Sequence, residues 1–141
     1  MLFVESKLTQ RNFEPNSVDR AELQKAVDEL IAAGPQEVPV VIDGREFTSG
    51  KKSQQVNPGN HKQVLCNYYE ADEAMVDTAI QGALKAKEVW ANMPWSERAA
   101  IGLKAADLIA NKYRYKLLAA TMVGQGKNVW QAEIDAGAEI C

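Results

Sequence analysis

Met122-Val-Gly-Gln-Gly-Lys-Asn-Val-Trp-Gln-Ala-Glu-Ile-Asp-Ala-Gly-Ala-Glu139 is the stretch whose reading decides the fold. A helical pattern runs into Gly124-Gln-Gly126-Lys127 and stops, because glycine is the usual residue where a helix closes. A second helix begins at once. Asn128 can accept from the backbone three residues on, and Gln131 can reach back to it, which is the reciprocal cap of a helix start. Ile134, Ala138 and Cys141 then recur as an apolar stripe, and no helix stop follows. The phrasing is that of two helices joined by a tight turn, the second still running at the last residue.

Working back from this turn, three further helices are expected before it. One runs from about Tyr115 through Leu118, Thr121 and Met122 to Gly124. Another, capped by Ser96, carries Ile101, Ala105, Leu108 and Ile109. A third, capped by Asp72, carries Val76, Ala79, Ile80, Ala83 and Trp90 and ends at Asn92-Met93-Pro94. The front third reads differently. Ser17 can cap a helix with Leu23, Val27, Leu30 and Ile31 at helical spacing, closed by Gly34-Pro35. Val38–Ile42 is apolar and β-branched, Asp43-Gly44 is a strong hairpin signal, and Arg45–Ser49 returns. Asn57-Pro58-Gly59-Asn60 is a turn before a strand over Val64–Tyr69. The expected segment is therefore a helix, a small antiparallel β meander, then four helices. Four striped helices over so small a meander should leave apolar surface uncovered.

Composition narrows the function classes. The 141 residues are 46% hydrophobic and 25% charged with a net charge of −3, ordinary values for a soluble globular chain. No Lys/Arg cluster supplies a phosphate-neutralising surface, and the Lys51-Lys52 doublet reads as a solvated turn. No apolar run reaches the roughly 20 residues of a membrane span. Two cysteines and one histidine offer neither a disulfide framework nor a zinc constellation, and a reduced compartment is the natural inference. The first residues make a poor secretory signal and a poor mitochondrial presequence.

Several motifs invite chemistry and fail on their own terms. Gly124-Gln-Gly126-Lys127 lacks the third glycine of a dinucleotide turn, has Asn128 where a P-loop needs Ser or Thr, and follows a helix rather than a strand. It reads as a helix C-cap. Cys66 lies in an expected strand and Cys141 on a helical stripe; both read as structural thiols. His61 reads as a surface residue after a turn. Trp90, Trp95 and Trp130 read as packing residues of a core or a domain interface rather than a stacking platform. On the last helix Asp135 and Glu139 share a face, while Glu133 points elsewhere.

From about Asn12 to Cys141 the chain resembles the aldehyde dehydrogenase superfamily. The landmarks are Asn57-Pro58, Trp90, Glu97-Arg98, Lys104-Ala-Ala-Asp-Leu-Ile109 and Gly-Gln-Gly-Lys127. Thr121-Met-Val-Gly-Gln-Gly-Lys127 and Gln131-Ala-Glu-Ile-Asp135 are sharper, and resemble the branch that oxidises glutamate γ-semialdehyde, the Δ1-pyrroline-5-carboxylate dehydrogenases. The resemblance implies an α/β fold with a Rossmann-type cofactor domain in the complete enzyme. Residues 17–141 would be the front part of that domain, truncated at 141, and residues 1–16 a disordered or extended lead. It implies NAD as cofactor, a catalytic cysteine that attacks the aldehyde, a homo-oligomer, and a mitochondrial matrix location (cytosolic in a bacterium). The nucleophile, base and cofactor site lie further along the family's chain, so no catalytic, cofactor-binding or metal residue is assigned here. One residue is carried over: Glu139, preceded by Ala138, matches the glutamate that accepts a hydrogen bond from the substrate's amino group. A fixed carboxylate suits an α-ammonium.

The uncapped last helix makes the front end of an enzyme the leading expectation, with an isolated chain that is inactive and marginally stable or self-associating. Two other readings stand beside it. One is a short non-catalytic interaction protein that docks on full-length subunits. The other is an autonomous helical binding module of shared ancestry.

Overall fold

The structure, a computed structural model, describes residues 10–138. They form two compact units. One spans Ala33–Gly102; the other joins the described residues up to Ala32 with those from Leu103 onward.

In the unit 33–102 five strands precede a long helix: β1 (Gln36–Val38), β2 (Val40–Ile42), β3 (Arg45–Phe47), β4 (Lys52–Asn57) and β5 (Asn60–Tyr69), then α2 (Glu73–Asn92), where α1 is the helix Val18–Ala32 of the other unit. The expected single antiparallel meander is corrected. β5 is the centre of a three-stranded sheet of order β1-β5-β4, antiparallel to β4 and parallel to β1, whereas β2 and β3 form a separate hairpin. Pro39 is the cause. It has no N–H to give to a ladder, so the expected Val38–Ile42 strand divides there. Val38 stays in register with Tyr68, while Val40 pairs with Phe47. The hairpin turns on Asp43 and Gly44, at φ of 49° and 73°, as the Asp-Gly pair requires. Lys52 opens β4 instead of lying in a turn, and pairs with Glu37.

Asp72 caps α2 as expected, its carboxylate accepting from the Met75 N–H at 2.8 Å. α3 (Trp95–Asp107) starts one residue before the expected Ser96 cap. The Pro94 carbonyl accepts from the Glu97 and Arg98 N–H groups, which leaves Ser96 inside the first turn. The stripes of these helices are uncovered. Val76, Ile80 and Leu84 on α2 are exposed, as are Trp90, Trp95 and Ile101, so these two tryptophans pack in no core here.

In the other unit Ser17 caps α1 through the Arg20 N–H, at 3.2 Å. α3 runs on into a π-helical stretch, Leu108–Lys112. α4 (Arg114–Gln125) closes on Gly126 at φ 66°, the left-handed C-cap expected of the Gly-Gln-Gly turn. α5 (Val129–Ala132) opens with the full capping box of Asn128 and Gln131, each bond 3.0 Å, a feature that contributes about 1 kcal/mol. The helix then widens into a π-helical stretch, Glu133–Ala138.

Leu118, fully buried, centres the core with Phe13, Leu23, Ala119, Ala132 and Ala136, and Val27, Leu30 and Met122 pack against it. Burying a leucine completely stabilises by about 1.5–3 kcal/mol. Residues 10–16 form neither helix nor strand, and Phe13 lies in this core; residues 1–9 lie outside the described residues. The inward face of the last helix is Ala132, Glu133, Ala136 and Gly137, and of the expected stripe the Ala138 and Cys141 side chains lie outside the described residues. Ile134 and Trp130 are exposed. The phase differs because a carboxylate, not an aliphatic side chain, points inward.

Candidate functional site

The helix pair around the Gly-Gln-Gly-Lys turn places its charged groups unevenly. Glu133 is 0% exposed and the Arg114 side chain only 3%, although neither residue type is normally buried unless paired. They are paired. Arg114, at the first position of α4, donates from Nη2 to Glu133 Oε1 and from Nε to Oε2, the latter at 3.3 Å. Its Nη1 donates to the Ala110 carbonyl at 3.3 Å, and the Arg11 backbone N–H adds a third donor to Glu133 Oε1 at 3.0 Å. Gly137 stands one turn on. A Cβ there would lie 3.0 Å from Glu133 Oε2, so any larger residue would press on the pair. Among the described residues no buried side-chain polar atom lacks a partner.

Sequence reasoning took Glu133 to point away from the substrate face and did not single out Arg114. A signal was available: Glu133 is flanked by Ala132, Ala136 and Gly137, small residues that let a second helix close over a carboxylate. Its partner could not be read, because it lies across the turn on another helix.

A second network surrounds the start of α1. The Tyr115 hydroxyl donates to Asp19 at 2.5 Å, and Arg11 donates to Asp19 at 2.7 Å and to the Tyr115 oxygen at 2.6 Å. The Tyr115 hydroxyl, then the Arg11 guanidinium, hold the Asp19 carboxyl below its ordinary 3.8. A depressed carboxyl contributes stability above its unfolded pKa and loses it as pH falls through the folded one. The pair's contribution is therefore present near neutrality and disappears on acidification below pH 3.8. Asp19→Asn should remove that part of the acid-side slope, which denaturation midpoints measured on either side of pH 3.8 would read. An unchanged slope would show that the network adds nothing.

The other residues singled out by sequence are dispersed. Lys127 is engaged by Asp135, both about two-thirds covered, so it is not poised for a phosphate. With Gly126 serving as a helix cap, the Gly-Gln-Gly-Lys turn does not fit a dinucleotide, and among the described residues no other glycine turn follows a strand into a helix in the manner such a cofactor needs. His61 is exposed at the start of β5, and Cys66 is a half-buried free thiol on the same strand. Among the described residues no three metal-ligating side chains converge, and no helix is long and apolar enough to cross a membrane. An open hollow lined by Phe13, Arg20, Leu23, Val27, Met122 and Val129 offers no acid, base or nucleophile. Glu139 and Cys141 lie outside the described residues.

Residues 46–140 match the aldehyde dehydrogenase family, and the chain belongs to that family. It is 52% identical over 130 residues to a protein of Schizosaccharomyces pombe named as a probable Δ1-pyrroline-5-carboxylate dehydrogenase, covering 92% of this chain and 24% of that one. It is 41% identical over 128 residues to the mitochondrial Δ1-pyrroline-5-carboxylate dehydrogenase of Homo sapiens, covering 91% of this chain and 23% of the relative. Among solved structures, the Δ1-pyrroline-5-carboxylate dehydrogenase of Mycobacterium tuberculosis superposes with a TM-score of 0.88 at 39% identity, over 93% of this chain and 24% of that one. A structure of the same enzyme bound with NAD superposes at 0.85 with 40% identity, over 91% and 24%. The chain thus spans about a quarter of the length of the relatives it matches. Its α/β make-up agrees with theirs.

Proposed function

We propose that this chain is part of an NAD-dependent dehydrogenase that oxidises L-glutamate γ-semialdehyde, formed from Δ1-pyrroline-5-carboxylate, to L-glutamate in proline catabolism. The observation that carries the reading is the identity of 52% to a named enzyme of this specificity across nine-tenths of the chain. On this reading residues 17–141 are the front of the cofactor-binding domain, and the complete enzyme is a homo-oligomer. The nucleotide would be held by residues outside this chain, as membership of the aldehyde dehydrogenase family implies. NAD supplies the hydride acceptor when bound. The exposed stripe of Val76, Ile80 and Leu84 is the kind of surface a larger fold covers, which supports a part rather than a self-contained module. The mitochondrial names of several relatives support a matrix location in a eukaryote.

Glu139 is the residue of this chain assigned to the substrate. Its carboxylate accepts from the α-ammonium group, while the reacting aldehyde lies at the other end of the molecule. The test is an NADH assay on the full-length enzyme with glutamate γ-semialdehyde beside unsubstituted aldehydes. Preference for the amino-acid aldehyde is the expected result, and equal turnover of propanal would overturn the specificity. The 141 residues alone should form no NADH above a protein-free blank. Activity that is lost on mutating Cys66 or Cys141 would contradict this.

A further inference from the structure

We propose that Arg114 is the hub of a conformational lock: its guanidinium ties the π-helical turn 108–112 to the π-helical turn 133–138, so that the two turns form and loosen as one unit. The lock does not depend on which aldehyde the complete enzyme takes.

Three observations converge on it. The first is geometric. Arg114 donates from Nη1 to the Ala110 carbonyl, inside the first turn, at 3.3 Å. It donates from Nε and Nη2 to the carboxylate of Glu133, the residue that opens the second turn. A guanidinium carries its N–H donors in one rigid plane, so a single side chain can serve acceptors on two segments at once. The Arg11 N–H joins the leading segment to the same carboxylate, at 3.0 Å.

The second is that neither turn stands easily by itself. π-helical turns are rare, and the commoner α-helical closure competes with each of them. In the first turn the Tyr113 N–H reaches back to the Leu108 carbonyl at 2.9 Å. The chain breaks at Tyr113 before α4 begins, and carbonyls near such an end need donors from elsewhere. Arg114 gives one to Ala110. The second turn closes over the other end of the same side chain. Gly137 lies inside it with φ outside the left-handed region, so space rather than conformational freedom accounts for the glycine. A Cβ there would stand 3.0 Å from Glu133 Oε2 and 3.4 Å from Arg114 Nη2.

The third is the choice of charges. Both side chains are buried and lose their hydration, and an apolar pair of similar size is often as stable or more so. Stability alone therefore gives little reason for an arginine and a glutamate here. Direction does. Two aliphatic side chains would fill the space, but they would give Ala110 no donor and fix no orientation. Holding one conformation against its competitors is the use to which a buried polar pair is suited.

The experiment is hydrogen exchange read by mass spectrometry on the full-length dehydrogenase, following residues 108–113 and 133–138 with α1 as the internal reference. Arg114→Met with Glu133→Leu fills the site without charges. Both segments should then exchange about 10- to 100-fold faster, the factor for losing charge-assisted hydrogen bonds, while α1 changes by no more than about 3-fold. Gly137→Ala presses on the second turn alone. Through the lock it should speed exchange at 108–113 by a factor comparable to that at 133–138. In the apolar double variant the same glycine change should leave 108–113 where it stood, because nothing remains to carry the push. Arg114→Lys keeps the charge on a compact ammonium that cannot fork between the two segments. It should loosen both turns, and it decides the matter if the double variant does not fold. A rise confined to 133–138 on Gly137→Ala would overturn the lock. Transmission that persists in the apolar background would also overturn it, by assigning the coupling to packing. A uniform rise that includes α1 would make the pair a global stabiliser and nothing more.

Discussion

Arg114→Ala is expected to lower the unfolding free energy by about 3–5 kcal/mol. The loss comes less from the missing attraction than from what remains. Glu133 would keep its carboxylate in a site with no solvent access, without the guanidinium that donates to both its oxygens. Removing one partner of a buried pair strands the other, and the stranded charge carries the penalty. A urea titration reads this as a lower midpoint at constant slope, since the surface exposed on unfolding barely changes. The paired substitution Arg114→Met with Glu133→Leu fills the same space with no charge to strand, and it should restore most of the lost stability. A loss below about 1 kcal/mol in the single variant, typical of exposed pairs, would mean that water reaches Glu133.

Glu139→Ala in the complete enzyme should weaken handling of the amino-acid aldehyde far more than that of a simple one. Losing one charge-assisted hydrogen bond costs roughly 1.5–3 kcal/mol, on the order of 10- to 150-fold in kcat/KM. An aliphatic aldehyde has no ammonium group, so its kcat/KM should hold nearly constant with the same nucleophile and cofactor. The comparison carries its own control. Equal losses on both substrates would make Glu139 a structural residue of its helix and remove the one substrate contact assigned to this chain.

What was legible in the amino-acid sequence was local. Asp72, the Asn128–Gln131 box, the Asp43-Gly44 turn and the Gly126 cap each solve a backbone problem within a few residues, and each stands in the structure as read. What escaped depends on contacts between distant segments. The parallel pairing of β1 with β5 joins Gln36 to Cys66, and no pattern in either strand announces it. Pro39 could have been noticed, since a proline within an apolar run demotes it as a central strand. The inward face of the last helix was assigned by hydrophobicity to Ile134, but a buried carboxylate reverses that rule once it has a guanidinium to meet. Arg114 lies on the other side of the turn, and only the packing of α4 against the final helix brings it there. The family resemblance rested on the local phrases and stands. Glu139 lies beyond the described residues, and its role is tested by the two-aldehyde comparison.

The unit that contains the buried pair is assembled from two ends of the chain, residues up to Ala32 and those from Leu103 onward, with the whole of the other unit between them. This order matters on the ribosome. α1 emerges early with Leu23 on its apolar face, but the side chains that cover it, around Leu118 and Ala132, are still untranslated. At about 5–20 residues per second, the roughly 80 residues between α1 and α4 impose a wait on the order of 4–16 s. A short helix is marginal in water by itself, so during that interval the leading segment samples open conformations with its apolar residues available to holdase chaperones. The strands and α2 of residues 33–102 are made in the meantime and can pair first. Completion of the other unit is then a long loop closure, timed by the arrival of α4 and α5 rather than by anything encoded in α1 itself.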